Sequence, residues 1–258
     1  MRAFLAVVLL AALSGLTWGQ TGDKPAKPAQ PAKLRYQYKS DHIPHGIGKF
    51  YMGREIAQVM GHQGAGWLER PEREVEEQPS KLLEMLKLKP GEVVADIGAG
   101  SGYHTVRMAK LVGPKGKVYA VDIQPEMLAI IRNRVKKLKL TNVTPVRGTT
   151  TDPKLPASSI DLILLVDVYH EFSHPYEMTQ AMVKALKPGG RMVFVEFRLE
   201  DPNVPILLLH RMSEKQVLKE MAPHPLRHAR TLESLPWQHV IIFERVADKT
   251  KEKEEKKP

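Results

Sequence analysis

Two groups of residues in this chain have the types and spacing to do chemistry. The first is Asp96-Ile97-Gly98-Ala99-Gly100-Ser101-Gly102, an acid followed by glycines at every second position. Glycine there lets a ligand lie against backbone N–H groups that a Cβ would block, and it tolerates positive φ. Asp122 stands 26 residues after Asp96, at a distance typical of a βαβ repeat, where a carboxylate can take both hydroxyls of a ribose. The second group is Asp167-Val168-Tyr169-His170-Glu171-Phe172. A histidine with a pKa near ~6.5 can remove a proton from a reacting group, and Glu171 is its candidate orienting partner. Tyr169 and His170 can equally close a pocket or bond backbone, and the residues alone leave both readings open.

Such residues need a frame. Val93 to Ile97 is an apolar run that reads as a buried parallel strand. Lys117 to Asp122, Val143 to Gly148, Ile160 to Val166, Met192 to Glu196 and His239 to Glu244 read as further strands. Between them lie helical patterns: Glu76 to Leu88, stopped by Pro90-Gly91; a helix starting at Tyr103; one opened by Pro125 with Met127, Ile131, Val135 and Leu138 on one face; and His174 to Leu186. Ser213 and Gln216 have capping-box spacing before a helix reaching about Met221. The alternation predicts an α/β fold with a doubly wound sheet, whose ligands bind at the carboxyl ends of the strands.

A dinucleotide fingerprint would place a third glycine where Tyr103 stands. The pattern Asp-x-Gly-x-Gly-x-Gly instead resembles the first motif of class I S-adenosylmethionine (SAM) methyltransferases. The acid-ended second strand, the fourth strand ending at Asp167 and the Pro188-Gly189-Gly190 turn before the fifth strand follow in the same order, over Leu82 to Arg198. Within that superfamily the chain is similar to uncharacterised bacterial members that carry an export signal. The resemblance implies a mostly parallel, seven-stranded Rossmann-like sheet with an antiparallel edge pair, and SAM as cofactor. It implies that Asp96, Gly98, Ala99, Gly100 and Gly102 cradle the cofactor, with Asp96 facing its ammonium. Asp122 would hold the ribose, Ile123 the adenine face, and Thr149 would stand where the family often has an aspartate for the adenine amino group. Thr150, Asp152 or backbone are alternatives for that contact. Asp167 would close the cofactor site beside the acceptor.

The activity so implied is in-line methyl transfer, driven mainly by positioning, to an unknown acceptor. Enzymes that methylate exocyclic nitrogens of bases or amides often carry Asn/Asp-Pro-Pro-Tyr where this chain has Asp167-Val168-Tyr169-His170. A small molecule or protein is therefore expected, not nucleic acid. The Gly102-Tyr103 pair resembles isoaspartyl methyltransferases, whose other marks are not evident. A SAM-fold binding module without turnover is the alternative.

The chain has 258 residues, enough for one α/β domain, and no cysteine, which excludes disulfides and thiol nucleophiles. Its formal net charge is +10, and the cluster Arg132, Arg134, Lys136, Lys137 and Lys139 reads as a solvated helix face. Residues 1–19 read as a signal peptide cut near Gly19, giving a periplasmic or secreted protein without a membrane span; an uncleaved leader would make it membrane-anchored. Residues 20–35 read as a Pro/Lys/Ala-rich linker, and 248–258 as a charged tail expected to be disordered. Residues 36–77, rich in glycine and histidine, precede the catalytic domain at 78–247. In the family such a segment is often a lid, with His62, Trp67 and Tyr169 as its substrate-side candidates. Arg70, Arg73, Glu76 and Glu77 read equally well as surface ion pairs. No metal site is expected: His42, His45 and His62 lack a helix to set their geometry.

Overall fold

The computed structural model describes residues 35–246. The leader, nearly all of the linker and the charged tail lie outside the described residues.

The N-terminal segment forms an antiparallel sheet of β1 (Tyr36–Tyr38), β2 (Gly46–Tyr51) and β3 (Arg54–Ala57). Two single-turn helices follow, α1 (Ala65–Leu68) and α2 (Arg73–Glu76). The glycines that argue against a long helix are used here in turns: Met52 and Gly53, both at positive φ, close the β2–β3 hairpin.

Helix α3 (Pro79–Leu86) starts three residues later than its apolar pattern suggests. Proline fixes the first turn and disfavours helical geometry before it, and Gln78 sits at φ 51 instead. The doubly wound core then alternates: β4 (Val93–Ile97), α4 (Tyr103–Val112), β5 (Lys117–Asp122), α5 (Pro125–Lys137), β6 (Val143–Arg147), β7 (Ile160–Val166), α6 (Pro175–Ala185) and β8 (Leu186–Arg198). After β9 (Arg211–Met212) and α7 (Glu214–Met221), β10 (Leu226–Leu232) and β11 (Gln238–Arg245) close the fold.

The main sheet has the order β10-β11-β8-β7-β4-β5-β6. Strands β8, β7, β4, β5 and β6 are parallel, and β10 and β11 form the antiparallel edge. The two-residue β9 adds an eighth strand beside β8, pairing with Phe197 and Arg198 beyond the end of β7. The Pro188-Gly189-Gly190 turn is a bulge at the start of β8: Ile160 faces Leu186, yet Leu162 faces Arg191. Strand β7 is buried on both faces, as its continuous apolar run requires. Two apolar layers flank the sheet, one including Ile163, Leu165, Phe194 and Met182, the other Leu164, Val193, Leu86 and Met108. Ser213 Oγ accepts the N–H of Gln216 at 3.1 Å, but the Gln216 amide turns to Glu220 and Met52. Only half of the capping box forms.

Candidate active site

The carboxyl ends of β4, β5 and β7 open on a cavity of about 420 Å³. The turn after β4 holds Gly98, Gly100 and Gly102 at φ values of 66°, 55° and 79°, a left-handed geometry that residues with a Cβ rarely adopt. Gly98 and Gly100 line the cavity. Asp122 organises this end: its Oδ2 accepts the N–H of Gly100 at 2.9 Å and its Oδ1 that of Gln124 at 2.9 Å. Burial pushes its pKa up. Ile123, Met127 and Thr149 add to the wall, with Thr150 beside them. Thr149 Oγ also accepts the N–H of Asp152 at 3.0 Å, pinning its own turn.

Asp96 lies behind the turn. It does not line the cavity; its Oδ2 accepts the Thr105 hydroxyl at 2.5 Å. Burial pushes its pKa to about 6 despite that bond. Ala99 and Gly102 likewise shape the turn from outside the cavity wall. Asp167, at φ 50° just past β7, does line it. Gln238 donates to its Oδ2 at 2.7 Å, while its sequestered Oδ1 has no hydrogen-bond partner among the described residues. Burial, with the carboxylates of Glu77 and Glu196 nearby, raises its pKa well above the usual range.

The far end of the cavity is built from three segments. His170 and Glu171, in a 3-10 turn at Tyr169–Glu171, face His210 from the turn before β9. His170 Nδ1 lies 2.6 Å from Oε2 of Glu196, a fully buried residue near the end of β8. Its Nε2 lies 3.0 Å from His210 Nδ1. Glu196, rather than Glu171, is thus the partner that orients His170. Glu171 instead accepts the Met60 N–H at 3.0 Å, and burial pushes its pKa to about 7. Burial and the neighbouring His170 lower that of His210 to about 4. Phe172, Phe197, Ile206 and Leu207 give this end apolar walls.

The N-terminal segment covers both ends. Val59, Met60, Trp67, Leu68 and Arg73 line the cavity. A Cβ on Gly100 would stand 2.6 Å from Leu68 Cδ1, so the cover needs that glycine. Of the other lid residues read from the sequence, His62 lies outside the wall, half-exposed and 4.0 Å from Glu126. Tyr169 points into the core, where its hydroxyl donates to Glu220 at 2.8 Å. It therefore does not reach the cavity. The four charged residues are not a surface set either: Arg73 and Glu77 pair at 2.7 Å with both side chains almost fully buried, and Arg70 bonds Glu76 and Glu77 while lying over the Trp67 ring.

Glu196 and His210 were not singled out by their sequence. Glu196 has a signal: like Asp96 and Asp122, it is an acid at the end of an apolar strand. His210 has none, following the apolar run Ile206 to Leu209.

Over residues 88–255 the sequence matches the family model described as "Methyltransferase domain". The chain belongs to that methyltransferase family. Among solved structures, a SAM-dependent methyltransferase from Aquifex aeolicus superposes with a TM-score of 0.69 at 27% identity, covering 73% of this chain and all of the other. A protein-L-isoaspartate O-methyltransferase from Ignicoccus hospitalis is 35% identical over 144 residues, 55% of this chain and 64% of the relative. A ubiquinone/menaquinone biosynthesis C-methyltransferase from Ectopseudomonas mendocina is 32% identical over 126 residues, 48% of each chain. The methyltransferase thus spans about half to two thirds of the length of these curated relatives.

The cofactor of this fold is SAM, and the cavity suits it. Asp167 lines the cavity, and among the described residues nothing competes with a ligand's donor for its Oδ1. Asp122 carries a buried carboxylate at the tip of β5, and the glycine turn presents backbone free of side chains.

Proposed function

We propose that this methyltransferase transfers a methyl group from SAM to a small, largely apolar acceptor that carries one polar end. The observation that carries this reading is a single cavity with a different chemistry at each end. A glycine turn with Asp122 and the unpartnered Asp167 stands at one, and an apolar chamber with one His170–Glu171–His210 corner at the other.

SAM supplies a methyl group made electrophilic by its sulfonium. The chain's contribution is positioning. Asp122 and the Gly98–Gly100 backbone hold the nucleoside, Ile123 and Met127 take the base, and Asp167 takes the amino-acid head. Glu196 fixes the His170 tautomer by accepting from Nδ1–H, which leaves the Nε2 lone pair toward His210 and the cavity. The corner so formed receives the acceptor's polar end. The N-terminal segment acts as a lid that excludes water, which strengthens every electrostatic contact inside. The apolar walls around the acceptor end favour a small acceptor over a polymer. The leader is proposed to export the chain, and the intact mass of the secreted protein should then begin near Gln20.

The test is equilibrium binding of SAM by calorimetry, followed by transfer of label from methyl-labelled SAM to fractionated extracts. Stoichiometric SAM binding and label in the low-mass, organic-soluble fraction are expected. Label confined to nucleic acid or protein would overturn the acceptor reading, and failure to bind SAM would overturn the whole.

A further inference from the structure

The far corner of the cavity places three metal-ligating atoms around one point. His170 Nε2 is 3.0 Å from His210 Nδ1 and 4.0 Å from Glu171 Oε1, and His210 Nδ1 is 3.7 Å from Glu171 Oε1. Ligand bonds of about 2.0–2.2 Å to a first-row divalent ion set neighbouring donors about 3–3.6 Å apart. The three atoms are at that spacing or within a few tenths of an ångström of it. We propose that His170, Glu171 and His210 bind a first-row divalent transition ion of the zinc type, with its remaining coordination positions open to the cavity.

Three further observations support the site. His170 Nδ1 is backed by Glu196, which also accepts the Tyr169 N–H at 2.9 Å and is fully buried. A carboxylate behind the imidazole is the arrangement that fixes the tautomer of a metal-bound histidine and raises its basicity. The local backbone is held as well, because Arg54 donates to the His170 carbonyl at 3.0 Å and Glu171 Oε1 accepts the Met60 N–H. Finally, the donor set matches the ion. Two imidazoles and one carboxylate suit zinc or its neighbours better than magnesium or calcium, and three protein ligands with an open face are the pattern of a reactive rather than a structural centre. The sequence alone predicts no metal site, and His42, His45 and His62 supply no ligand atom to this group.

The ion would hold an oxygen atom of the acceptor at the end of the cavity away from the glycine turn. That use rests on the methyl-transfer reading; binding of the ion does not.

Chelator-treated full-length protein, titrated with zinc chloride and separately with cobalt chloride, tests the proposal by calorimetry and visible absorption. One equivalent is expected, with cobalt bands of a low-symmetry site. His210→Ala and Glu171→Gln should each weaken binding at least about tenfold. Glu196→Gln, which touches no ion, should weaken it about 10–100-fold. His42→Ala should change nothing. SAM binding by each variant reports that it is folded, and His210→Gln replaces any His210→Ala that is not. No stoichiometric ion binding by a protein that binds SAM would overturn the metal site and leave the methyltransferase reading intact. Ion binding unchanged in both His210 and Glu171 variants would place the ion elsewhere and overturn it equally.

Discussion

Two of the cover's fastenings differ in kind. At the acceptor end, Arg54 of β3 makes a two-pronged bond to Glu220 of α7, Nε to Oε1 at 2.8 Å and a terminal nitrogen to Oε2 at 3.0 Å. Tyr169 and Gln216 donate to the same carboxylate, and the pair is 11% and 0% exposed. At the cofactor end, Glu69 pairs with Arg134 of α5 and accepts from Ser101, with the charged pair 35% and 26% exposed. A buried, fully bonded charge pair cannot lose one member cheaply, whereas a partly solvated pair is worth little. The cover is therefore hinged on the acceptor side and latched lightly over the glycine turn. Cofactor exchange is expected to open the lighter pair first, with the Arg54–Glu220 pair holding the acceptor corner.

Breaking the hinge gives the largest effect. Glu220→Ala leaves the buried Arg54 guanidinium without its counter-charge and frees the Tyr169 hydroxyl. A loss of about 3–5 kcal/mol is expected, read as a lower urea midpoint with an unchanged slope. A loss below ~1 kcal/mol would mean the two fastenings are alike.

The cofactor end carries a smaller liability that depends on pH. Asp96 has a folded pKa of about 6, raised by burial, against an ordinary value of 3.8. The folded state then holds the proton more tightly than the unfolded one. This stabilisation is complete below about pH 4 and lost as pH rises through about 6, to a total of roughly 3 kcal/mol. Asp96→Asn should remove that part of the slope. The difference between the two stability curves, measured from pH 4 to 7, isolates it from Asp122 and Asp167, which stay in both proteins.

These two ends were also unequally legible. The cofactor end is one contiguous turn, and its glycines are demanded by backbone angles that other residues avoid, so Gly98, Gly100 and Gly102 announce themselves. The strand tips carrying Asp122 and Asp167 follow from the same repeat. Asp96 shares the signature of a ligand residue yet bonds Thr105 instead, because a side chain's direction is set by strand pleat and not by motif. The acceptor end is assembled from β3, the Tyr169–Glu171 turn, β8, the turn at His210 and α7, brought together only by the fold. No local pattern joins Glu196 to His170 or His210. The hinge was equally hidden: propensity counts against strands containing Gly46 and Gly48, and no local pattern joins Arg54 to Glu220.

Asp122 separates the two ends by function. Asp122→Ala removes the acceptor of two backbone N–H groups that hold the glycine turn, together with the proposed ribose ligand. SAM affinity should fall about 10–100-fold, a cost of roughly 1.4–2.7 kcal/mol, while zinc affinity at the far corner stays within about twofold. Calorimetric titration of the same preparation with each ligand checks both. Parallel losses would show that the ends are not independent.

The smallest expected effect is the most informative about the latch. Glu69→Gln keeps the shape of the side chain and its capacity to accept from Ser101, but removes the charge facing Arg134. Because the pair is partly solvated, stability should change by less than about 1 kcal/mol. An opening that starts at this pair and leaves the Arg54–Glu220 hinge closed should put most of the lost interaction into the rate at which SAM leaves. A dissociation rate raised about two- to fivefold, with the association rate nearly unchanged, is expected from stopped-flow displacement. High salt should produce a similar acceleration in the unmodified protein by screening the exposed pair, and little further change in the variant. If the variant releases SAM no faster while Glu220→Ala does, the cover opens from its acceptor side and the roles of the two fastenings are reversed.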